Sequence, residues 1–324
     1  MEVMNNWSLY DGSNADWSMQ LFHLEGVSYV HENEWADHLE NIGWTAYRWS
    51  YQDGENSAFL QGFLKRYPFG VAVLWFPDWI IGDYALSNGI GRVLRKSLGL
   101  RCLYIRIRSH RSSKCKEAEE IQSFERPNKV FNSGLTMHLN LRSSELDLHK
   151  NLTKNWRHNL KRSNKLKHEI CDIVDASTVV QLYNELIQAK DLKGLFSPDE
   201  IRSLMNVYGD KLIVIGAITP DGIVQAVRGA IIIGDQAIDI FAAANLFSRK
   251  HYLSYSLCWS LLLRCKLQGC TNYNFNGVDP ENNMGVYNFK KGTGAKLVET
   301  LGEFEWSNIF LMKWLVSFLS KWWR

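Results

Sequence analysis

Between Leu212 and Ala244 three apolar runs, Leu212 to Thr219, Val224 to Ile233 and Ala237 to Ala244, follow one another with room only for tight turns between them. Pro220-Asp221-Gly222 and Gly234-Asp235-Gln236 are turns of the hairpin type, so the three runs are expected side by side as an antiparallel meander. Two amphipathic helices precede it, Val179 to Lys190 and Ile201 to Tyr208. The second opens on Ser197-Pro198, a capping serine followed by proline at the first helical position. After the meander and the segment Asn245 to Tyr252, a helix is expected to run to about Gln268. It ends at Gly269, and a strand begins at Tyr273.

This order, two helices, a meander, a helix, a strand and a final helix or strand, is that of an acyltransferase fold of the GNAT type. The earlier part of the chain is also mixed. A short helix at Glu34 to Asn41 precedes strands at Trp44 to Tyr51, Phe59 to Phe63 and Val71 to Phe76, then a helix at Arg92 to Leu98 and a strand at Cys102 to Arg108. With 324 residues, 46% of them hydrophobic, the chain can build more than one core. The expectation is therefore an α/β (α+β) protein of two domains, and the family resemblance that its motifs carry implies two tandem GNAT-like halves, each a mixed, mostly antiparallel sheet flanked by helices. The halves are placed at residues 1–148 and 149–305, with an amphipathic C-terminal helix at 306–324.

A net charge of +3 does not mark the whole chain as a polyanion binder, so any phosphate contact must come from a local cluster. Residues 150–168, KNLTKNWRHNLKRSNKLKH, hold seven Lys or Arg and no carboxylate. On one continuous helix, Lys150, Lys154, Arg157, Lys161, Lys165 and His168 would form a cationic front, with Leu152, Trp156 and Leu160 behind. Such a front suits phosphates, of a nucleoside diphosphate, a tRNA or an anionic lipid; the plain alternative is an exposed helix between domains. Gly89-Ile90-Gly91 before a basic helix could hold a phosphate or be only a turn, and the basic run from Arg106 to Lys116 reads as solvated surface. The six cysteines have no C-x-x-C pair and no histidine at metal-ligand spacing, so reduced thiols and no metal site are expected.

The stretch from Asn272 to Glu305 carries most of the site chemistry. A strand with Tyr273 and Phe275 on one side and Asn274 and Asn276 on the other turns at Gly277-Val278-Asp279-Pro280. A polar loop is expected next. It presents Tyr287, Phe289, Lys290 and Lys291 ahead of Gly292-Thr293-Gly294, whose backbone amides could form an anion nest.

Three segments of the chain resemble the FemABX-like family of tandem GNAT-type enzymes. They are the N-x-R-x-x-L-K-R pattern within Leu152 to Lys167, the run ending Y-N-F-N-G-V-D at Asp279, and GVYNFKKGTGAKLVETLGEFE from Gly285 to Glu305. The resemblance covers about 150–305 well and 30–145 thinly. The family includes enzymes that transfer amino acids from aminoacyl-tRNA to peptidoglycan precursors, and the expected reaction is transfer of an aminoacyl or other acyl group to an amino group of a cell-envelope precursor, either a peptidoglycan stem peptide or an amino sugar of a surface polysaccharide. The first half would help bind a nucleotide- or lipid-linked glycan or peptide acceptor, and the second would supply the transfer site. The resemblance also implies that Lys290 steadies the negative charge of the reacting ester. The long coiled-coil insertion of some members is absent.

Acyl transfer to an amine passes through a tetrahedral oxyanion and releases a proton. Lys290 is the candidate for the oxyanion, with Tyr287 beside it. Asp279 ranks ahead of Glu303 as proton acceptor, and substrate phosphate or water would also serve. Lys154, Arg157, Lys161, Arg249, Asn276, Gly292 and Gly294 are the candidate substrate contacts. No resident cofactor is expected; the donor is aminoacyl-tRNA or acyl-CoA. Against acyl-CoA, Ala244 to Tyr252 contains no glycine where a pyrophosphate loop belongs, while Arg249, Lys250 and His251 could meet the phosphates of a tRNA end or cap the helix. The competing readings are a CoA-dependent N-acyltransferase and a non-catalytic module that binds tRNA or membrane. The start of the chain lacks a signal peptide and no run of 18 uncharged apolar residues occurs, so a cytoplasmic protein is expected. The amphipathic tail at 306–324 would hold it on the inner membrane face, or dock on the first half or a second copy.

Overall fold

The computed structural model describes residues 6–24, 26–54, 56–79, 81–82, 89–113, 124–190 and 196–319. The chain forms two compact units, one of residues 1–134 with 299–324 and the other of residues 135–298. In the first unit β1 (Trp7–Leu9), α1 (Asn14–Phe22) and α2 (Asn33–Asn41) lead into a hairpin of β2 (Thr45–Asp53) and β3 (Asn56–Arg66). Then come β4 (Val71–Phe76), a two-residue β5 (Ile81–Gly82), α3 (Ile90–Ser97) and β6 (Cys102–Ser112). The strands lie in the order β1-β2-β3-β4-β6, with β5 beside β3. Only β4 and β6 run parallel; the other pairs are antiparallel. The alternation in these strands buries Trp49, Leu60, Leu74, Phe76, Leu103 and Ile105 in one core.

The second unit opens with β7 (Leu135–Asn140), α4 (Glu145–Asn151), α5 (Lys154–Ser163), β8 (Glu169–Asp172), α6 (Ala176–Lys190) and α7 (Pro198–Tyr208). The meander follows as β9 (Leu212–Ile218), β10 (Val224–Ile233) and β11 (Gln236–Ala244), then α8 (Leu246–Lys250), α9 (Leu253–Leu267), β12 (Asn272–Gly277) and α10 (Met284–Lys291). Its sheet order is β7-β12-β11-β10-β9-β8, parallel only between β11 and β12. Among the described residues each unit is thus a mixed, mostly antiparallel sheet with helices and one parallel pair. The chain then enters β13 (Lys296–Ser307), whose residues from Thr300 onward pair with β6, and α11 (Phe310–Leu319).

The units divide the chain differently from 1–148, 149–305 and 306–324. Strand pairing sets membership: Leu139 and His138 of β7 pair with Tyr273 and Asn274 of β12, while Phe304 to Ser307 pair with Ile107 to Tyr104. Continuity along the chain gives no hint of either partner.

The single cationic helix over 150–168 is not present. Leu152 is extended (ψ 139°) and Thr153 caps a new helix, accepting from the Trp156 amide at 3.4 Å, so Lys150 belongs to α4 and Lys165 lies past the end of α5. The helix expected between Tyr252 and about Gln268 is present as α9, and a short helix, α8, precedes it; Tyr252, with a φ of 62°, separates the two. The polar loop ahead of Lys290 is instead the helix α10, capped by Asn283. Gly91 does not face a phosphate; a β-carbon there would lie 2.5 Å from the Trp306 ring. Among the described residues no helix is long and apolar enough to cross a membrane.

Candidate functional site

Residues 272 to 277 form the strand that the sequence anticipates, with Tyr273 and Phe275 fully buried. β12 follows β11 only for the three pairs Gln236 with Asn272 to Ile238 with Asn274. Asn276 then turns into the left-handed region (φ 61°), where asparagine is one of the few side chains tolerated, and its Nδ2 donates to Asp239 O at 3.4 Å. The next helix, α10, returns Lys290 to this break. Its Nζ donates to Phe275 O at 2.6 Å and to Gly277 O at 2.9 Å. An ammonium has three N–H donors, so one remains for a further acceptor.

Asp239, Arg228 and Cys258, all buried, act electrostatically on this ammonium. Arg228 on β10 and Asp239 on β11 form a two-pronged ion pair, with Nε to Oδ1 at 2.9 Å and Nη2 to Oδ2 at 2.7 Å. Tyr273 donates its hydroxyl to Asp239 Oδ1 at 2.9 Å. The Arg228 guanidinium lies 5.7 Å from the Phe275 ring and 5.5 Å from that of Phe289, the residue before Lys290. Burial pulls the Lys290 pKa down to about 8; the Asp239 carboxylate opposes the fall and Arg228 adds to it. Near neutrality Lys290 therefore stays cationic, although it is only 9% exposed. Burial also pushes the neighbouring Cys258 thiol up to about 11, which keeps it neutral.

The basic segment enters the same unit through its apolar side. Leu152, Trp156 and Leu160 are all buried, and Trp156 Nε1 donates to Phe289 O at 3.1 Å. Its ring packs 5.0 Å from that of Tyr255 and 5.8 Å from that of Phe289. Lys154 and Lys161 are exposed on the other side. Arg157 is engaged instead with the chain, donating to Lys150 O at 2.7 Å and Leu152 O at 2.8 Å. Arg162 joins this surface to the α8–α9 junction: it donates to the Tyr252 hydroxyl at 2.7 Å and stacks 3.9 Å above that ring. That contact joins the C-terminal end of α5 to the residue that follows the Arg249-Lys250-His251 segment.

Several expected roles do not survive the geometry. The Gly292 and Gly294 amides donate to Asn288 O and Lys291 O at 2.9 and 3.1 Å, so they form no anion nest. Gly292 is required by packing, since a β-carbon would lie 2.7 Å from Trp156 Cδ1; Gly294 is required by its φ of 88°. Asp279 caps a turn, accepting from the Glu281 and Asn282 amides at 3.0 and 2.9 Å and from Asn282 Nδ2 at 2.8 Å. These bonds, those from Asn282 foremost, hold its carboxyl below the usual range and make it a weak base. Tyr287 is half-buried against the core, with Lys291 Nζ 5.4 Å from its ring. Glu303 belongs to the first unit, where it is buried against Arg106 and accepts from Asn132 and the Phe131 amide. Arg106 is thereby removed from the solvated basic run.

Arg228 and Asp239 are not among the site residues expected from the sequence, though a signal for them exists there. Each is the lone charge in an apolar strand, and the turn at Gly234-Asp235 brings the two strands back against each other, with Ala230 opposite Asp239. A cavity of about 710 Å³ is lined by Val174, Met205, Ile213, Arg264 and Leu267 among others, and by none of the expected site residues. Among the described residues no group of three His, Cys, Asp or Glu side chains could hold a metal ion.

Residues 214–321 match the FemAB family. That segment contains Arg228, Asp239, Tyr273 and Lys290, and the resemblance drawn from the motifs is borne out there. No curated protein matches the sequence. The fold is similar to the crystal structure of FemX at 12% identity, over 95% of this chain and 99% of that one, with a TM-score of 0.78. It is also similar to L-PGS from Bacillus licheniformis (14% identity, 95% and 96% coverage, TM-score 0.56). A tandem GNAT protein from the clavulanic acid biosynthesis pathway matches at 12% identity, 93% and 98% coverage and a TM-score of 0.55. The fold is thus of the tandem GNAT type, and the family match and fold together support an aminoacyl or acyl transferase.

Proposed function

We propose that the protein transfers an aminoacyl group from aminoacyl-tRNA to an amino group of a cell-envelope precursor, either a peptidoglycan stem peptide or an amino sugar of a surface polysaccharide. The observation that carries this reading is the Lys290 ammonium, buried at the break of β12 and left with one donor beyond its two backbone carbonyls. Attack of the acceptor amine on the ester carbonyl forms the C–N bond and moves the carbonyl electron pair onto oxygen. A desolvated cation already fixed at that oxygen stabilises the developing charge without reorganisation. Collapse then breaks the C–O bond to the tRNA ribose. With Asp279 committed to its turn, the amine's proton leaves through substrate phosphate or water.

The exposed cations Lys154 and Lys161, with Arg249, suit the phosphates of a tRNA end. The α8 start speaks against acyl-CoA. Asn245 takes the Ser248 amide at 2.9 Å, in a segment with no glycine to admit a pyrophosphate. The FemAB family match, with the likeness of the fold to FemX and L-PGS, supports a cell-envelope acceptor. An acceptor carried on lipid would place the enzyme on the inner membrane face.

The test is transfer of labelled amino acid from charged tRNA to a nucleotide-linked stem peptide or an amino-sugar acceptor, comparing wild type with Lys290→Met. A loss of about 10²- to 10³-fold in turnover is expected. Full activity in the folded variant would overturn the assignment of Lys290, and turnover with acetyl-CoA in place of charged tRNA would overturn the donor.

A further inference from the structure

The end of the first unit at which β4 and β6 begin carries a surface that the transfer reaction does not use. Register defines what lies there: Val71 pairs with Cys102, Ala72 with Arg66 and Tyr104 with Ser307. The β3–β4 turn, the start of β6 and the start of α11 therefore share one end of the sheet. Asn308 ties two of them, accepting from the Leu103 amide at 2.8 Å and donating to Arg101 O at 3.0 Å. The helix α11 is anchored by Met312, which packs with Val73 and Tyr104, and by Lys313, whose ammonium meets Glu125 at 2.8 Å.

What the helix leaves outside is apolar. Phe310, Leu311 and Trp314 are 80%, 76% and 70% exposed, and helical spacing puts them within an arc of about 100°. At the β3–β4 turn Phe69 is 100% exposed and has a φ of 63°. Left-handed backbone costs a side chain such as phenylalanine roughly 1 kcal/mol, and that strain is set beside no packing of the ring. The segments 64–72, 98–103 and 307–314 contain Lys65, Arg66, Arg101 and Lys313 and no aspartate or glutamate.

We propose that this end of the first unit docks on an anionic lipid bilayer, with Phe69, Phe310, Leu311 and Trp314 entering the boundary between headgroups and acyl chains and Arg66 and Arg101 meeting lipid phosphates. Exposed aromatics ringed by cations fit an anionic interface. A twofold pairing of this face with its copy would set Arg66 and Arg101 against like charges, while the Glu125 carboxylate is already paired with Lys313. The sequence beyond, ending Lys-Trp-Trp-Arg, is of the same interfacial composition. The proposal does not rest on the transferred group or its acceptor.

Sedimentation of the full chain with vesicles tests it, using phosphatidylcholine alone and phosphatidylcholine with about one third phosphatidylglycerol. Binding is expected to the second only, and to weaken as salt rises. Phe69→Asn keeps a residue that tolerates the left-handed backbone; it and Phe310→Ser/Trp314→Ser are each expected to weaken binding about tenfold. Transfer to a soluble acceptor is expected to stay unchanged in both variants. Wild-type binding no stronger with phosphatidylglycerol, or variants that bind as wild type, would overturn the proposal. So would light scattering that shows a dimer which these substitutions dissociate while vesicle binding persists.

Discussion

Replacing Lys290 with methionine should change how stability depends on pH, and the size of the change follows from burial. The lysine pKa falls from 10.5 to about 8 in the folded chain. That difference corresponds to roughly 3 kcal/mol of penalty for keeping the ammonium buried. Below pH 8 the group is charged in both folded and unfolded states, so the whole penalty is present. As pH rises past 8 the folded state releases its proton while the unfolded state still holds one, and the folded state gains relative stability until the unfolded lysine titrates as well. A neutral amine keeps two N–H groups, enough for both Phe275 O and Gly277 O. Deprotonation therefore removes the penalty without orphaning either carbonyl. Methionine has neither the charge nor the donors. Urea unfolding of both proteins at several pH values from 7 to 10 should show wild type gaining on Lys290→Met by about 2–3 kcal/mol over that interval. The rise of Cys258 to about 11 acts in the opposite direction in wild type, and subtraction of the variant curve cancels its direct contribution. A stability difference that is flat with pH would refute the burial of a charged Lys290.

The same titration should appear in catalysis: if the cation stabilises the oxyanion, wild-type turnover should fall as pH rises through about 8, and stopped-time transfer assays across that range would show a plateau instead if Lys290 were only structural. Asp239→Ala should destabilise the second unit by about 3–5 kcal/mol in chemical denaturation, because it leaves buried Arg228 without its ion-pair partner. Gly292→Ala should cost about 1–3 kcal/mol, since the added carbon meets Trp156 Cδ1 at 2.7 Å and Asn288 O at 3.0 Å; unchanged thermal unfolding would contradict that packing. Asp279→Asn should retain transfer activity within about twofold, as its amide oxygen can still accept from the Glu281 and Asn282 amides, whereas a large loss would return Asp279 to the role of base.

Local periodicity and turn chemistry made the meander, the strand at Tyr273 and the capped helix after Ser197 readable, because each depends on residues a few positions apart. The motif around Lys290 was readable for the same reason. The nest at Gly292 to Gly294 failed because glycine permits both an anion site and close packing, and the choice lay with Trp156, more than a hundred positions away in the chain. The cationic stripe failed at a single extended residue, Leu152, whose departure from the helix buries its side chain in the core. Sequence alone determined that this chain has a GNAT-type second half with a lysine in a transferase-like motif. Only the tertiary structure decided that this lysine is a desolvated cation on two backbone carbonyls beside the Arg228–Asp239 pair. Desolvation and long-range strand pairing arise from residues far apart in the chain, and no local pattern records them.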